Sequence, residues 1–319
     1  MKKLPKISII IPCKRIDSKT KKCIEECLNL NYKDFEILVL PDNYNKKKKY
    51  PKIVKVISTG KVKPAFKRNK GMKEAKGKFF GFIDSDAYPK KDWLKNVIKY
   101  FKDERIGIVG GPNLTPPESG FWEKVFGYTL ANFFVTGKAN IRYKIVENQY
   151  THELPSCNYI AKKEASSKYD SNFLTAEDSE FCFNCKKRGY NILYAKDVIV
   201  YHHRRKNLKE HIKQIFIYGR DIAWLTKKDF SLNKIYYSIL SLFVVLFFVG
   251  LISSLFSKVI GMIFILATGI YLFLILFTSI HENLKVSFNV FITSIITHFS
   301  YGIGWLYGVV KKCNPQKHL

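Results

Sequence analysis

Hydrophobic residues follow two regimes along the chain. Up to about residue 110, short apolar runs alternate with stretches of helical spacing, and turn residues separate them. Ile7–Ile11 is apolar and closes at Pro12, and Phe35–Leu40 closes at Pro41-Asp42-Asn43. Ile53–Ser58, Phe79–Ile83 and Ile106–Val109 have the same strand character, the last ending in Gly110-Gly111-Pro112. Between them, Thr20–Leu30, Pro64–Ala75 (closed by Gly77) and Trp93–Phe101 repeat their apolar positions with a helical period. Short apolar runs bounded by breakers predict buried strands, and longer periodic stretches predict helices. Such alternation predicts an α/β domain with a mainly parallel, Rossmann-like sheet and ligands at the C-terminal ends of its strands. The tract KKKKY at 46–50 reads as a solvated loop.

The second regime begins near residue 226. Residues 235–257, 259–280 and 286–310 contain no Asp, Glu, Lys or Arg. Each run is long enough to cross roughly 30 Å of hydrocarbon as a helix. A buried helical core is the competing explanation, but a globular helix normally keeps a polar side, and the first two runs have none. The third run holds His298, Ser300, Tyr301 and three glycines, Gly302, Gly304 and Gly308, so an element on the membrane surface, or a re-entrant one, competes there. The expected organisation is a front domain over 1–225 and a membrane domain over 226–319, with two to three hydrophobic helices. Lys227, Lys228 and Lys234 precede the first run, and only Lys258 lies between the first and second. Basic flanks stay inside, which puts residues 1–234 in the cytoplasm and predicts a multi-pass protein of the cell membrane. Three full crossings would put Lys311 and Lys312 outside, against the same rule.

Charge sharpens this division. The chain has 54 Lys and Arg against 26 Asp and Glu, a formal net charge of +28. Most of that excess lies before residue 227, which suits an anionic partner: nucleic acid, an acidic membrane surface or a phosphorylated substrate. A general enrichment in lysine would produce the same total. The seven cysteines include one lone CxxC, Cys182 and Cys185, and no second pair to complete a zinc site, which fits a reducing compartment. The opening MKKLPKISIIIP has too short an apolar run for a signal peptide and no small-residue cleavage site after it.

Against this basic background, three acids stand where α/β chemistry is usually placed. Asp42 follows one strand, and Asp84 and Asp86 follow another. Alternate residues of an extended segment point the same way, so Asp84 and Asp86 can share a face. Two adjacent carboxylates repel unless a cation lies between them, and oxygen ligands favour Mg²⁺ or Mn²⁺. A polar turn is the simpler alternative, with Asp86 opening a helix that carries Pro89 in its first turn. Further on, Glu177-Asp178 opens an amphipathic helix, and Thr175-x-x-Asp178 also fits a capping box. A later strand ends in Tyr201-His202-His203-Arg204-Arg205.

Over about residues 5–225 this ordered set resembles the family-2 inverting glycosyltransferases of the GT-A fold. The matching segments are SIIIPCKR (8–15), EILVLPDN (36–43), PAFKRNKGMKEAKG (64–77), Asp84-Ser85-Asp86 and TAEDSEFCFNCKKRGYNI (175–192). The resemblance implies a nucleotide-sugar donor site that includes Pro12, Asp42 and Arg68, with Lys67 and Arg68 reaching towards the diphosphate and Asn69 bracing the nucleotide loop. It implies that Asp84 and Asp86 hold Mn²⁺ or Mg²⁺ and the diphosphate, with His202, or His203 in its place, completing the metal site. It makes Asp178 the base that deprotonates the acceptor hydroxyl, with inversion at the anomeric carbon. The chain departs from the family at Pro41-Asp42-Asn43, where two acids and a Ser are common, and at Lys14-Arg15-Ile16-Asp17. Processive members carry Q-x-x-R-W where this chain has Gln214 and, displaced, Gly219-Arg220 and Trp224, so transfer of one or a few sugars is expected. The aromatic stretch 119–136 fits either the membrane interface or an acceptor-side core helix. Tethering to a membrane implies a lipid or lipid-linked glycan acceptor. The alternative is a non-catalytic binder of anionic lipid or nucleic acid. Acids at the strand ends would repel a nucleic acid, so none is expected as a partner. A channel or transporter accessory subunit would leave the front domain without a purpose.

Overall fold

A computed structural model describes residues 4–44, 50–228, 230 and 232–312, with the side chains of 232–234 excluded. The lysines at 46–49 and Cys313 lie outside the described residues. The chain forms two compact units, one made of residues 4–117 and 141–203 and the other of 118–140 and 204–312.

Among the described residues, the first unit contains eleven strands: β1 (Ile7–Pro12), β2 (Phe35–Leu40), β3 (Val54–Val56), β4 (Phe79–Phe82), β5 (Ala87–Pro89), β6 (Ile106–Gly110), β7 (Asn113–Leu114), β8 (Gln149–Thr151), β9 (Tyr159–Lys162), β10 (Asn191–Tyr194) and β11 (Val200–His202). Eight of them form one sheet in the order β3-β2-β1-β4-β9-β6-β10-β8, and β5-β11-β7 form a second, small sheet. The β3-β2-β1-β4 half is parallel throughout, and β6 and β10 are parallel to each other. β9 runs antiparallel between β4 and β6. The architecture is a mixed α/β domain with a parallel-rich sheet, as expected from the alternating pattern. The antiparallel β9 has no counterpart among the predicted strands.

Burial on both faces explains the continuous apolar runs. In β1, Ile7, Ile9 and Ile11 point to one side, against Cys23, Ile24 and Cys27 of the helix Ser18–Leu28 and Trp93 of the helix Trp93–Ile98. Ile10 points to the other side, with Leu38, Leu40, Phe82 and Phe181. A strand covered on both faces has no polar side to show. Cys182 and Cys185 are free thiols packed into this second core, so the lone CxxC is hydrophobic filling.

One close approach positions the chemistry. The helix Pro64–Glu74 starts with Pro at its first turn and lies on β1 through Gly71. A Cβ on Gly71 would stand 2.6 Å from Ile10 Cγ2, so only glycine lets the helix sit this low. That seating buries Lys67 and Arg68, two positions that a solvated helix would expose.

Two of the simpler local alternatives are not met. Asp86 does not open a helix: the next three residues form β5 and the helix begins at Trp93, because pairing with β11 claims the backbone of Ala87–Pro89. The helix that carries Asp178 runs Glu177–Lys187 with Ala176, not Thr175, at its N-cap.

The second unit is helical. Its elements are Phe121–Ala131, Phe133–Thr136, Leu208–Lys228, Ile239–Ser254, Lys258–Thr278 and Leu284–Val310. Among the described residues, three of its segments, 235–254, 258–278 and 284–310, are long and apolar enough to cross a membrane. The first two expose apolar side chains almost all round, whereas the third buries nearly half of its most apolar stretch within the protein. Phe121–Ala131 packs Val125 and Phe126 against Val290 of that third helix and leaves Tyr128 exposed, with Phe133 and Phe134 exposed just beyond it.

Candidate functional site

The acids converge because of how the chain leaves β4. Ala87 N–H donates to Asp84 O at 3.0 Å, turning the chain into β5. Antiparallel pairing of β5 with β11 sets His202 opposite Ala87, and His203 N–H donates to Asp86 O at 3.1 Å. This register brings His202 Nε2 to 3.2 Å from Asp86 Oδ1, while the His203 ring lies near Tyr88. Ligand atoms of Asp84, Asp86 and His202 all lie within 4.8 Å of one another. Their side chains are 32%, 34% and 18% exposed, open enough for a solute to reach.

Burial alone would keep His202 neutral. The neighbouring Cys157 and Asp86 overrule it and push its pKa up to about 10. Two carboxylates and an imidazole are suitable donors for Mn²⁺ or Mg²⁺. The residues therefore fit the ion that the sequence implied.

Lys67 and Arg68 are both held by carboxylates. Lys67 Nζ donates to Cys13 O at 2.5 Å and to Asp42 Oδ1, tying the loop after β1 and Pro12 to the loop after β2. Gly60, at φ +73°, donates its N–H to Asp42 O at 2.9 Å and closes that loop from the other side. Arg68 donates to Asp84 Oδ1 at 2.8 Å and to Glu177 Oε1 at 2.9 Å. Burial works against its charge, but Asp84 and Glu177 outweigh it and hold the guanidinium protonated well beyond its ordinary range. Arg68 thus links the β4 acids to the helix that begins at Glu177. Asn69 forms two hydrogen bonds with the backbone of Tyr169, each 2.8 Å, and so fixes the loop before that helix.

Asp178 lies in the first turn of this helix, where acids are favoured. Its Oδ1 accepts from Ser179 N–H at 2.9 Å and its Oδ2 from Ser156 N–H at 3.3 Å. Burial pushes its pKa up to about 6, with Arg142 pulling it down and Glu153 pushing it up. Arg142 and Glu153 are themselves paired. Burial also raises Glu177 above the usual carboxylate range against the pull of Arg68, with Asp178 adding to the rise. The result is a carboxylate that is mostly ionised at neutral pH yet far more basic than a solvated Asp, as proton abstraction requires.

The structure therefore brings Asp84, Asp86 and His202 together, joins Asp84 through Arg68 to Glu177 beside Asp178, and ties Asp42 through Lys67 to the segment after Pro12. Sequence reasoning missed the ionic role of Glu177 and the parts of Ser156, Arg142 and Glu153. Glu177 stands next to a singled-out residue and was within reach. The other three carry no linear signal, because only the fold sets them beside Asp178.

The family profile described as Glycosyl transferase family 2 matches residues 8–169. The chain is 25% identical over 322 residues to the dolichyl N-acetyl-alpha-D-glucosaminyl phosphate 3-beta-D-2,3-diacetamido-2,3-dideoxy-beta-D-glucuronosyltransferase of Methanococcus voltae, spanning 96% of this chain and 97% of that protein. It is 26% identical over 249 residues to an uncharacterized glycosyltransferase of Methanocaldococcus jannaschii, covering 72% and 83% of the two chains. Among solved structures, a mannosyltransferase from Pyrobaculum calidifontis in complex with GDP-Man and Mn²⁺ aligns with a TM-score of 0.63 at 14% identity, over 96% of this chain and 88% of that one. That last likeness is one of fold.

Proposed function

The chain belongs to glycosyl transferase family 2, and from that premise we propose that it moves a sugar from a nucleotide-sugar donor to a lipid-linked glycan acceptor, with inversion at the anomeric carbon. The observation that carries this is one connected constellation: Asp84, Asp86 and His202, linked through Arg68 and Glu177 to Asp178. A lipid-linked acceptor is supported by the near full-length similarity to the Methanococcus voltae enzyme, whose name specifies a dolichyl-linked acceptor, and by helices apolar enough to anchor the chain. With lysines before the first of those helices, the catalytic domain, residues 1–225, is assigned to the cytoplasmic face.

Asp178 takes the proton from the acceptor hydroxyl as that oxygen attacks the anomeric carbon. The new carbon–oxygen bond forms on the face opposite the bond to the diphosphate, and the diphosphate leaves with that bond's electron pair. Asp84, Asp86 and His202 would hold Mn²⁺ or Mg²⁺, which when bound would supply positive charge against the departing nucleoside diphosphate. Arg68 holds Asp84 and Glu177 at fixed separation, and with them the donor side and the acceptor side of the site. Asp42 and the segment at Pro12, tied by Lys67, form the wall for the nucleotide. Short transfer, without polymerisation, is supported by the departure from Q-x-x-R-W at Gln214, Gly219-Arg220 and Trp224.

The test is nucleotide release by detergent-purified protein, with membrane lipid extract and a panel of UDP-, GDP- and dTDP-sugars. Release from one donor that needs Mn²⁺ or Mg²⁺ and is lost in Asp178→Asn is the expected result. Release that is indifferent to both, or tight binding of lipid or nucleic acid without turnover, would overturn the proposal.

A further inference from the structure

We infer that this chain crosses the membrane twice, as a hairpin of 235–254 and 258–278, and that the third apolar helix, Leu284–Val310, lies along one membrane surface without crossing. The inference rests on the proposal that the hairpin enters a bilayer.

Both ends of the third helix are tied to the same end of the hairpin. Its start follows directly from the exit of the second span, and there Asn132 donates to Thr278 Oγ1 at 2.9 Å and Tyr128 lies against His281, with ring centres 4.2 Å apart. Its finish is bound to the end of Leu208–Lys228, the helix that precedes the first span. Trp224 Nε1–H donates to Lys311 O at 2.9 Å, and the Lys227 ammonium donates to Gly308 O at 3.2 Å and to Val309 O. If 235–254 and 258–278 both cross, the entry of the first and the exit of the second share one side. The third helix therefore begins and ends on that side.

Its length and depth agree. A 27-residue helix is about 40 Å long, more than the roughly 30 Å of hydrocarbon. It crosses the first helix of the hairpin over residues 240–248 and meets the second at Tyr271: Gly302 lies against Leu240 O and Val244, Phe299 against Phe243, Phe247 and Phe248, and His298 against Tyr271. Tyr271 is seven residues from the end of its helix, roughly 10 Å along the axis, which is the depth of an interfacial helix. His298 donates Nε2–H to Phe134 O and accepts from Tyr271 O–H at Nδ1, both at 2.9 Å, so its polar atoms are satisfied within protein.

The helix also has two unlike sides. One packs on Leu208–Lys228: a Cβ on Gly304 would stand 2.2 Å from Phe216 O and one on Gly308 2.5 Å from Arg220 O, while His211 bonds Thr297 at 2.9 Å. The partner helix carries exposed Lys209, Lys213, Lys227 and Lys228, which suits a headgroup layer. The other side exposes Leu284, Phe288, Ile303, Tyr307 and Val310, which suits the acyl boundary. This topology removes the conflict over Lys311 and Lys312: they lie with Lys227 and Lys228, and Lys258 is left at the far end of the hairpin.

Single cysteines at exposed positions test it, in a Cys313→Ser background whose six other cysteines are buried. Full-length protein carrying Lys213→Cys, Phe256→Cys or Lys312→Cys is treated in sealed vesicles with a membrane-impermeant maleimide. Lys213→Cys and Lys312→Cys are expected to label from the same side, and Phe256→Cys, in the hairpin turn, only after permeabilisation of those vesicles. Labelling of Lys312→Cys from the side opposite Lys213→Cys would establish three crossings and overturn the inference while leaving the membrane anchor intact. Labelling of Phe256→Cys from the Lys213 side would overturn both, since the hairpin would then not cross.

Discussion

If Asp178 is the base, the rate of transfer must follow its ionisation. Its pKa is raised to about 6, chiefly by burial. A base works only when deprotonated, so kcat/KM should rise with pH through about 6 and level off above 7. With that pKa, about 9% of the free enzyme is competent at pH 5 and about 91% at pH 7, a difference of about tenfold. The assay is nucleotide release at low donor concentration from pH 4.5 to 8, where kcat/KM reports groups of the free enzyme. The neighbours supply the control. Arg142 pulls the pKa down and Glu153 pushes it up, so Arg142→Gln should move the rising limb to higher pH and Glu153→Gln to lower pH. Asp178→Asn should cost on the order of 10²–10⁴ in rate and flatten the limb. A limb that keeps its position in both neighbour variants, or survives in the residual activity of Asp178→Asn, would refute Asp178 as the base.

Other expectations concern the frame around it. Asp86→Asn should weaken binding of Mn²⁺ with nucleotide, read by titration calorimetry, while leaving the thermal midpoint close to that of the parent protein. Arg68→Met leaves Asp84 and Glu177 facing each other without their shared cation, and breaking a buried pair from one side costs about 3–5 kcal/mol, visible as a lower midpoint in detergent. Gly71→Val should destabilise the front domain by about 1–3 kcal/mol, because its Cβ meets Ile10 at 2.6 Å and lifts the helix that carries Arg68.

Much of the fold was legible because it depends on local pattern. The strand Phe35–Leu40 and the helix starting at Pro64 appear where periodicity and breakers put them. β9 was missed because YIAK is four residues long, ends in Lys162 and takes its register from β4 and β6 on either side. The site divides in the same way. Asp84, Asp86 and Asp178 sit at strand and helix ends, where position along the chain already marks them. His202 and His203 are adjacent in sequence, and only the pairing of β5 with β11 puts one ring beside Asp86.

The sequence by itself determined the alternation of strands and helices over the first 110 residues, the three long apolar segments near the end of the chain, and which acids stand at strand ends. Each of these follows from the side chains of a short window and from the solvent they prefer. Tertiary structure alone decided that Lys67 and Arg68 face carboxylates, that Arg142 and Glu153 flank Asp178, and that Lys227 reaches the end of the last helix. Those pairings join residues 11 to 109 positions apart. Charges so far apart in sequence meet only when packing brings them together, and burial then sets what each is worth.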